Sequence, residues 1–362
     1  MSTSTKPKLL FVYPNQFGYH IDSYKYCEYL QDKFDLTYIC FDQGFDRLDL
    51  PDVNVIYMPY NTGKVRRLVH FFIYLIQLTR KEKIDILFTV QFKFCFIIGL
   101  CAISKVKILD YRSGDLSSNY FMRSLKNIIM RFDALFFQYV TIISEGLRDI
   151  LFLNKGRAII LPLGADVISS RVRSFDRLDL LYLGTLNLRN IDQTIDGFAQ
   201  FLDKNKEISH LFSYTIIGFG TKQEEEKINF IIKKMGLNHT VRFLGRKKYT
   251  ELSSFFDDCN VGVTYVPMTP YYEYQPVTKL FEYLLSGMPV IATNTYENKL
   301  IVNYTNGVLI SDSSEDFCNG LMKVYDLRKS FDSIVIRESV EFYKWSNIIK
   351  SIMIPFLQKI LN

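Results

Sequence analysis

The stretch 272–293, YEYQPVTKLFEYLLSGMPVIAT, holds the residues whose types and spacing could do the most chemistry. Pro276 presets the first turn of a helix predicted over 277–286, whose free N–H groups and dipole make an anion site. Lys279 falls in that first turn and can reach a phosphate oxygen as a point charge. Glu282 lies three residues on, on the same face, where a carboxylate can accept two hydrogen bonds from vicinal hydroxyls such as those of a ribose. Gly287 ends the helix, and Met288-Pro289 leads into an apolar strand. Read locally, the same pattern also fits an ordinary crossover helix with a solvated Lys–Glu pair.

Two segments of the first half are richer in polar function than a plain turn requires. In 14–20, PNQFGYH, Gly18 could let the backbone approach a ligand, and His20 starts the following helix. In 110–115, DYRSGD, the choice lies between a salt-bridged turn and a set of binding or proton-accepting groups. The pair Asp257-Asp258 lacks a spaced D-x-D pattern and reads as a solvated helix end rather than a metal site.

The elements that must position these residues follow an alternating pattern. Short apolar, β-rich runs are predicted at 9–13, 36–41, 54–58, 84–90, 106–111, 140–144 and 158–162, with helices at 22–33, 65–83 and 120–137. After a polar, Arg-rich pause at 169–177 the pattern restarts. Strands are predicted at 180–184, 214–218, 241–245, 261–266, 290–293 and 308–310, and helices at 191–204, 223–235, 249–257, 277–286 and 314–327. A last amphipathic helix spans 345–361. This is the signature of two successive doubly wound parallel sheets. The domains expected are 1–170 and 171–344, with 345–362 returning toward the first. In open α/β sheets ligands bind beyond the carboxyl ends of the strands, so two such ends can face one another across a cleft.

Composition narrows the partners. The 362 residues are 48% hydrophobic and 23% charged, which excludes global disorder. Residues 64–131 carry thirteen Lys and Arg against four Asp and Glu, net +9, while 1–63 are net −3. One electropositive face suits phosphates or an anionic membrane surface and argues against nucleic-acid binding. Within it, KVRRLVHFFIYL and NYFMRSLKNIIMRF combine an apolar face with cationic flanks, as in helices that lie on anionic lipid; core-facing helices with a basic edge are the alternative. No apolar run reaches the ~20 residues of a membrane span. No secretory signal opens the chain, and the six cysteines are scattered without a C-x-x-C pair. A cytoplasmic protein with reduced thiols, peripheral on the inner face of the plasma membrane, is expected.

The arrangement P-x-x-K-x-x-E-Y-x-x-S-G-x-P-V at 276–290 resembles the nucleotide-sugar site of family 4 glycosyltransferases. Other segments resemble that family in the expected order. LYLGTLNLRNID (181–192) is similar to the opening strand and loop of its C-terminal domain, and YTIIGFG (214–220) to the second strand and Gly-rich turn. VRFLGRKKYTEL (241–252) is similar to the third strand and the loop that holds the base, and 258–266 to the strand before the donor loop. IISEGL (142–147) and LPLGAD (161–166) look like the two landmarks before the interdomain linker. The likeness covers most of 130–310, and 1–130 by architecture only.

The resemblance implies an α/β GT-B fold, two Rossmann-like doubly wound domains facing across a cleft. It implies a retaining hexosyltransferase that moves a sugar from a nucleotide-diphosphate donor to an acceptor hydroxyl during surface polysaccharide assembly. The donor is a co-substrate, with a UDP-sugar ahead of a GDP-sugar, and no cofactor or metal is expected. The acceptor would be a glycan or lipid-linked oligosaccharide. Arg189 matches the family's downstream basic position and would take the diphosphate with the helix start at Pro276, Val277 and Lys279. Glu282 would hold the ribose, Tyr274 and Gln275 the sugar, and Gly245 with Arg246 the base. Gly18, Gly184, Thr185 and Gly218 complete the donor side. Arg112 and Ser113 would bind the acceptor, with His20, Asp115 or Asp110 as proton acceptor. Two departures stand out: Tyr274, beside Glu273, replaces a usual second glutamate, and Thr185 stands where Arg or Lys is common. An epimerase of the same fold and a catalytically silent sugar-nucleotide binding protein are the alternatives.

Overall fold

A computed structural model describes residues 6–61 and 63–361 of the chain. The chain divides into two compact units, Met1–Leu163 with Trp345–Asn362, and Gly164–Lys344. The division thus falls seven residues before the boundary read from the sequence, and the polar pause at 169–177 lies inside the second unit.

The first unit runs β1 (Lys8–Val12), α1 (Ile21–Leu30), β2 (Asp35–Asp42), β3 (Val53–Pro59), α2 (Lys64–Lys81), β4 (Ile86–Val90), α3 (Phe96–Cys101), β5 (Val106–Tyr111), α4 (Tyr120–Ala134), β6 (Tyr139–Ile142), α5 (Glu145–Ile150) and β7 (Ala158–Ile160). Its seven strands are parallel in the order β3-β2-β1-β4-β5-β6-β7. β4, ILFTV, is buried at every position, because a parallel sheet is covered on both faces and its central strands lose the in–out alternation. One face packs Leu10, Val12 and Leu87 against Phe71, Phe72 and Leu75 of α2. The other packs Phe11 and Phe88 against Tyr26 of α1 and Trp345. The Trp345 and Tyr26 rings meet edge to face, 5.9 Å apart.

The predicted last helix is interrupted. It comprises a short helical turn at Trp345–Ile348, a π-helical turn at Ile349–Met353 and a final helix at Ile354–Leu361. Pro355 explains the break, since it has no N–H to give and its ring collides with the carbonyl four residues back. The helices α3 and α5 were not anticipated. Each is six residues long, and the sequence FIIGLC of α3 has the length and apolarity of a strand.

The second unit runs β8 (Leu178–Thr185), α6 (Ile191–Lys204), β9 (Phe212–Phe219), α7 (Lys222–Lys234), β10 (Val241–Phe243), α8 (Leu252–Asp258), β11 (Val261–Thr264), α9 (Thr278–Leu285), β12 (Val290–Thr293), α10 (Tyr296–Lys299), β13 (Gly307–Ile310), α11 (Ser314–Leu327) and α12 (Ser333–Glu338). Its six parallel strands lie in the order β10-β9-β8-β11-β12-β13. The chain order reverses between β8 and β11. That gap is the topological switch point, where the loops after both strands open a crevice. All six cysteines are free, and only Cys101 is exposed.

Candidate functional site

In the second unit the candidates gather at the carboxyl ends of β8, β9, β10 and β11. Gly184 and Gly218 are register partners across β8 and β9. The N–H of Gly218 donates to the carbonyl of Gly245 at 3.0 Å. A Cβ on Gly218 would lie 2.3 Å from the Gly184 carbonyl oxygen, so only glycine lets these strand ends approach. Gly245 has φ +63°, which glycine adopts without strain. Thr185 is exposed at the end of β8, and its carbonyl accepts the Tyr182 hydroxyl at 2.6 Å. Arg246 is exposed and stacks over Phe219 at 4.8 Å.

Arg189 sits in the loop after β8, between two residues in the left-handed region, Leu188 (φ +54°) and Asn190 (φ +52°). Asn adopts that conformation readily, whereas a bulky residue such as Leu188 holds it only where the surroundings over-determine it. The guanidinium lies 4.6 Å above the ring of Tyr272, and its Nη1 is buried without a hydrogen-bond partner among the described residues. The Tyr272 hydroxyl donates to the Leu188 carbonyl at 3.5 Å. Tyr272 therefore ties the loop after β8 to the loop after β11 across the switch point. An orphaned buried donor is costly, and an anion would satisfy it.

The β11 loop leads into α9. The helix begins at Thr278, with Val277 extended at its N-cap (φ −110°, ψ 116°) and Pro276 just outside, so Pro276 precedes the first turn it was predicted to open. No side chain caps the helix, so its first N–H groups face outward with the helix dipole behind them. Lys279 Nζ donates to Glu282 Oε2 at 2.6 Å, and Glu282 is 7% exposed. Gly287 (φ +74°) ends the helix, with Met288 N donating back to the Tyr283 carbonyl at 3.0 Å. Glu273 Oε1 accepts the N–H of Tyr296 at 3.0 Å, which gives that carboxylate a task at the start of α10. The Tyr274 ring lies 5.2 Å from that of Tyr296, and Gln275 N donates to the Tyr272 carbonyl at 3.1 Å.

The first unit assembles its own cluster. Arg112 is buried, donating from Nε to Asp22 at 2.7 Å and from its terminal nitrogens to the carbonyls of Leu161 and Pro162 at 2.7 and 3.3 Å. Its donors thus fasten β5 to α1 and to the segment after β7. Asp110 is fully buried at the end of β5. Its Oδ1 accepts the Thr141 hydroxyl at 2.7 Å and lies 3.7 Å from Arg112 Nη1. Burial pushes the Asp110 carboxyl up to about 6. His20 caps α1, with Nδ1 accepting the N–H of Ser23 at 3.3 Å, so the ring proton of the neutral form belongs on Nε2. Burial lowers its pKa, against the pull of Asp22 and with the push of Arg112.

Asp115 bonds Lys126 at 2.8 Å and accepts the N–H of Ser117 at 2.9 Å. Burial alone would raise its pKa, and these bonds bring it below the usual carboxylate value. Ser113 is exposed in the loop before α4. Gly18 has φ +89°, and a Cβ there would strike Leu48 at 2.5 Å. Sequence reasoning missed Tyr272 and Asp22. Tyr272 stood inside the quoted motif without a distinguishing neighbour, and Asp22 meets Arg112 across 90 positions that no local pattern links.

The model for the family described as Glycosyl transferases group 1 matches residues 170–336, most of the second unit. No curated protein matches the chain. Among solved structures, sucrose-phosphate synthase from Thermosynechococcus elongatus aligns over 98% of this chain and 99% of its own, at TM-score 0.74 and 14% identity. Anabaena HepE in complex with UDP and glucose aligns over 97% of this chain and 100% of its own, at TM-score 0.74 and 13% identity. The lipopolysaccharide outer core galactosyltransferase WaaB aligns over 97% and 99%, at TM-score 0.70 and 13% identity. At such identities the likeness speaks to the fold, which is GT-B: two Rossmann-like parallel-sheet domains. Residues 170–336 accordingly resemble a glycosyltransferase group 1 domain, within a chain of GT-B fold.

Proposed function

We propose that this chain transfers a sugar from a nucleotide-diphosphate donor to an acceptor hydroxyl. The observation that carries the reading is Arg189, a half-buried cation whose Nη1 is buried without a partner among the described residues, held by a strained loop at the switch point of a domain that resembles glycosyltransferase group 1. Breaking the bond between the anomeric carbon and the diphosphate builds negative charge on the leaving group. A donor already oriented and already desolvated stabilises that charge without reorganising. Arg189 would meet the diphosphate together with the uncapped N–H groups of α9 and Lys279. Glu282 would hold the ribose, with Lys279 orienting it. Tyr274 and Gln275 would orient the sugar, and Gly245 and Arg246 would receive the base.

We infer retention at the anomeric carbon, a UDP-hexose donor, no cofactor, and a glycan or lipid-linked acceptor in surface polysaccharide assembly. HepE, a fold neighbour that binds UDP, supports the choice of nucleotide. On the acceptor side, Asp110 is fully buried and bonded to Thr141, so it would hold the loop rather than meet an acceptor hydroxyl. Asp115, held ionised by Lys126, suits binding a hydroxyl rather than taking its proton. Arg112 would act by holding this loop rather than by touching sugar.

The test is donor consumption. Incubation with UDP- and GDP-sugars, with and without lipid-linked and free glycan acceptors, should release nucleotide only when a suitable acceptor is present. An isomerised donor without release would make the chain an epimerase. Binding of the donor with no turnover on any acceptor would leave a silent binding protein.

A further inference from the structure

α4 turns its apolar face outward. Phe121, Leu125, Ile128, Phe132 and Leu135 recur at helical spacing and form one stripe, with Phe121 73% and Leu135 68% exposed. The residues α4 buries are Met130, Asp133 and Ala134. An amphipathic helix of a globular core does the reverse. α2, by contrast, buries Phe71, Phe72 and Leu75 in the ordinary way. The unusual face is therefore a property of α4 and not of basic helices in general.

Beside the stripe stands Phe152, which follows α5. It is 75% exposed, and its φ of +49° lies in the left-handed region, which a bulky residue disfavours. The guanidinium of Arg131 stacks on its ring at 4.8 Å. Between α4 and this corner lies a cavity of about 490 Å³, lined by Ile128, Phe132, Leu135, Leu151 and Phe152, with Arg131 and Arg157 in its walls. Cations outnumber acids around it, with Lys126 paired to Asp115. α4 carries Arg123, Lys126 and Arg131, and its single acid, Asp133, is buried. Glu145 and Asp149 of α5 lean on Arg148.

We propose that the outer face of α4, with Phe152, docks on an anionic lipid bilayer. Aromatic and aliphatic side chains would enter the boundary between head groups and acyl chains, while the arginines and lysine remain at the level of the phosphates. Charge complementarity selects this occupant, since an exposed apolar stripe whose flanking charges are mostly cations matches a surface that is apolar beneath and negative above. Among the described residues no helix is long and apolar enough to cross a membrane, so the attachment would be peripheral. The proposal does not rest on glycosyl transfer, and its test needs no donor or acceptor.

The full chain is floated with vesicles of phosphatidylcholine alone and with an equimolar mixture of phosphatidylcholine and phosphatidylglycerol. It should float with the mixture, fail with the neutral vesicles, and be released by salt. Phe152→Asn and the pair Phe121→Ser with Ile128→Ser should each reduce partitioning about tenfold, as expected when one or two large side chains no longer leave water. Asn tolerates the left-handed conformation, so F152N should hold or raise the melting temperature while lipid binding falls. These opposite movements separate a docking side chain from a structural one. Equal flotation on both vesicles, absence of flotation, unchanged binding by the variants, or a stable dimer sequestering α4 without lipid would each overturn the proposal.

Discussion

Arg189→Ala removes the one side chain whose placement most directly implies an anion. In the folded protein alone the loss should be mild. The guanidinium gives up a cation–π contact with Tyr272, worth about 0.5–1 kcal/mol, and relieves an orphaned buried donor of comparable cost. The two terms oppose each other, so the melting temperature should move by only a few degrees. In the reaction the same deletion removes a preorganised charge from a developing diphosphate, where one such donor is worth about 3–4 kcal/mol. Turnover should therefore fall by roughly 100–1000-fold. Arg189→Lys keeps the charge but loses the planar fork, and should recover part of the rate. The assay is steady-state nucleotide release from a UDP-sugar with its acceptor, alongside thermal unfolding of each variant. An R189A protein that is folded and turns over within about fivefold of the parent would refute the assignment, for then no transition-state charge rests on this residue.

Two further outcomes follow from the geometry. Glu282→Ala should raise the KM for the donor by about 10–100-fold, the value of a charge-assisted hydrogen bond, with a smaller change in kcat; a kcat effect alone would remove Glu282 from ribose binding. The depressed pKa of His20 means that the folded state prefers the neutral ring, so its contribution to stability is present above the unfolded value of about 6.5 and is lost as pH falls below it. Asp110 works in the opposite sense, since its raised pKa favours folding at low pH and that contribution is lost as pH rises through about 6. His20→Asn keeps an N-cap and removes only the first effect, so the difference in melting temperature between parent and variant should change between pH 7 and 5. A constant difference would show that His20 does not titrate in that window.

Most of the strand framework was legible because parallel sheets write themselves as short apolar runs, and all thirteen predicted strands correspond to observed ones. Long helices such as α6 and α11 were legible from their 3.6-residue period. The helices α3, α5, α10 and α12, each of six residues or fewer, left too few turns for a period to register. The break at Ile349–Met353 could have been foreseen from Pro355, whose cost to a helix interior is local and certain. The helix of the 272–293 stretch was legible because its start and stop signals are contiguous in the sequence. Arg112 was not: its spacing advertised a polar loop, while its role depends on Asp22, Leu161 and Pro162, far away in the sequence.

Direction was the least legible property of all. The pattern of α4 is as amphipathic as that of α2, and a period cannot say which side faces the core. Backbone strain supplies the missing information. Among the described residues, four other than glycine have positive φ: Phe94, Phe152, Leu188 and Asn190. Glycine would hold each turn with less strain, so fold stability alone does not account for Leu or Phe in these places. Leu188 and Asn190 bracket Arg189, the half-buried cation with an unanswered, buried Nη1. Phe152 stands at the rim of the apolar groove, and Phe94 is exposed with Lys93 5.0 Å above its ring. In each case the strained backbone presents a side chain that the interior does not use. Strain of this kind persists where presentation of that side chain outweighs the ease of the turn, which is the reason to look for an anion at Arg189 and a surface at Phe152.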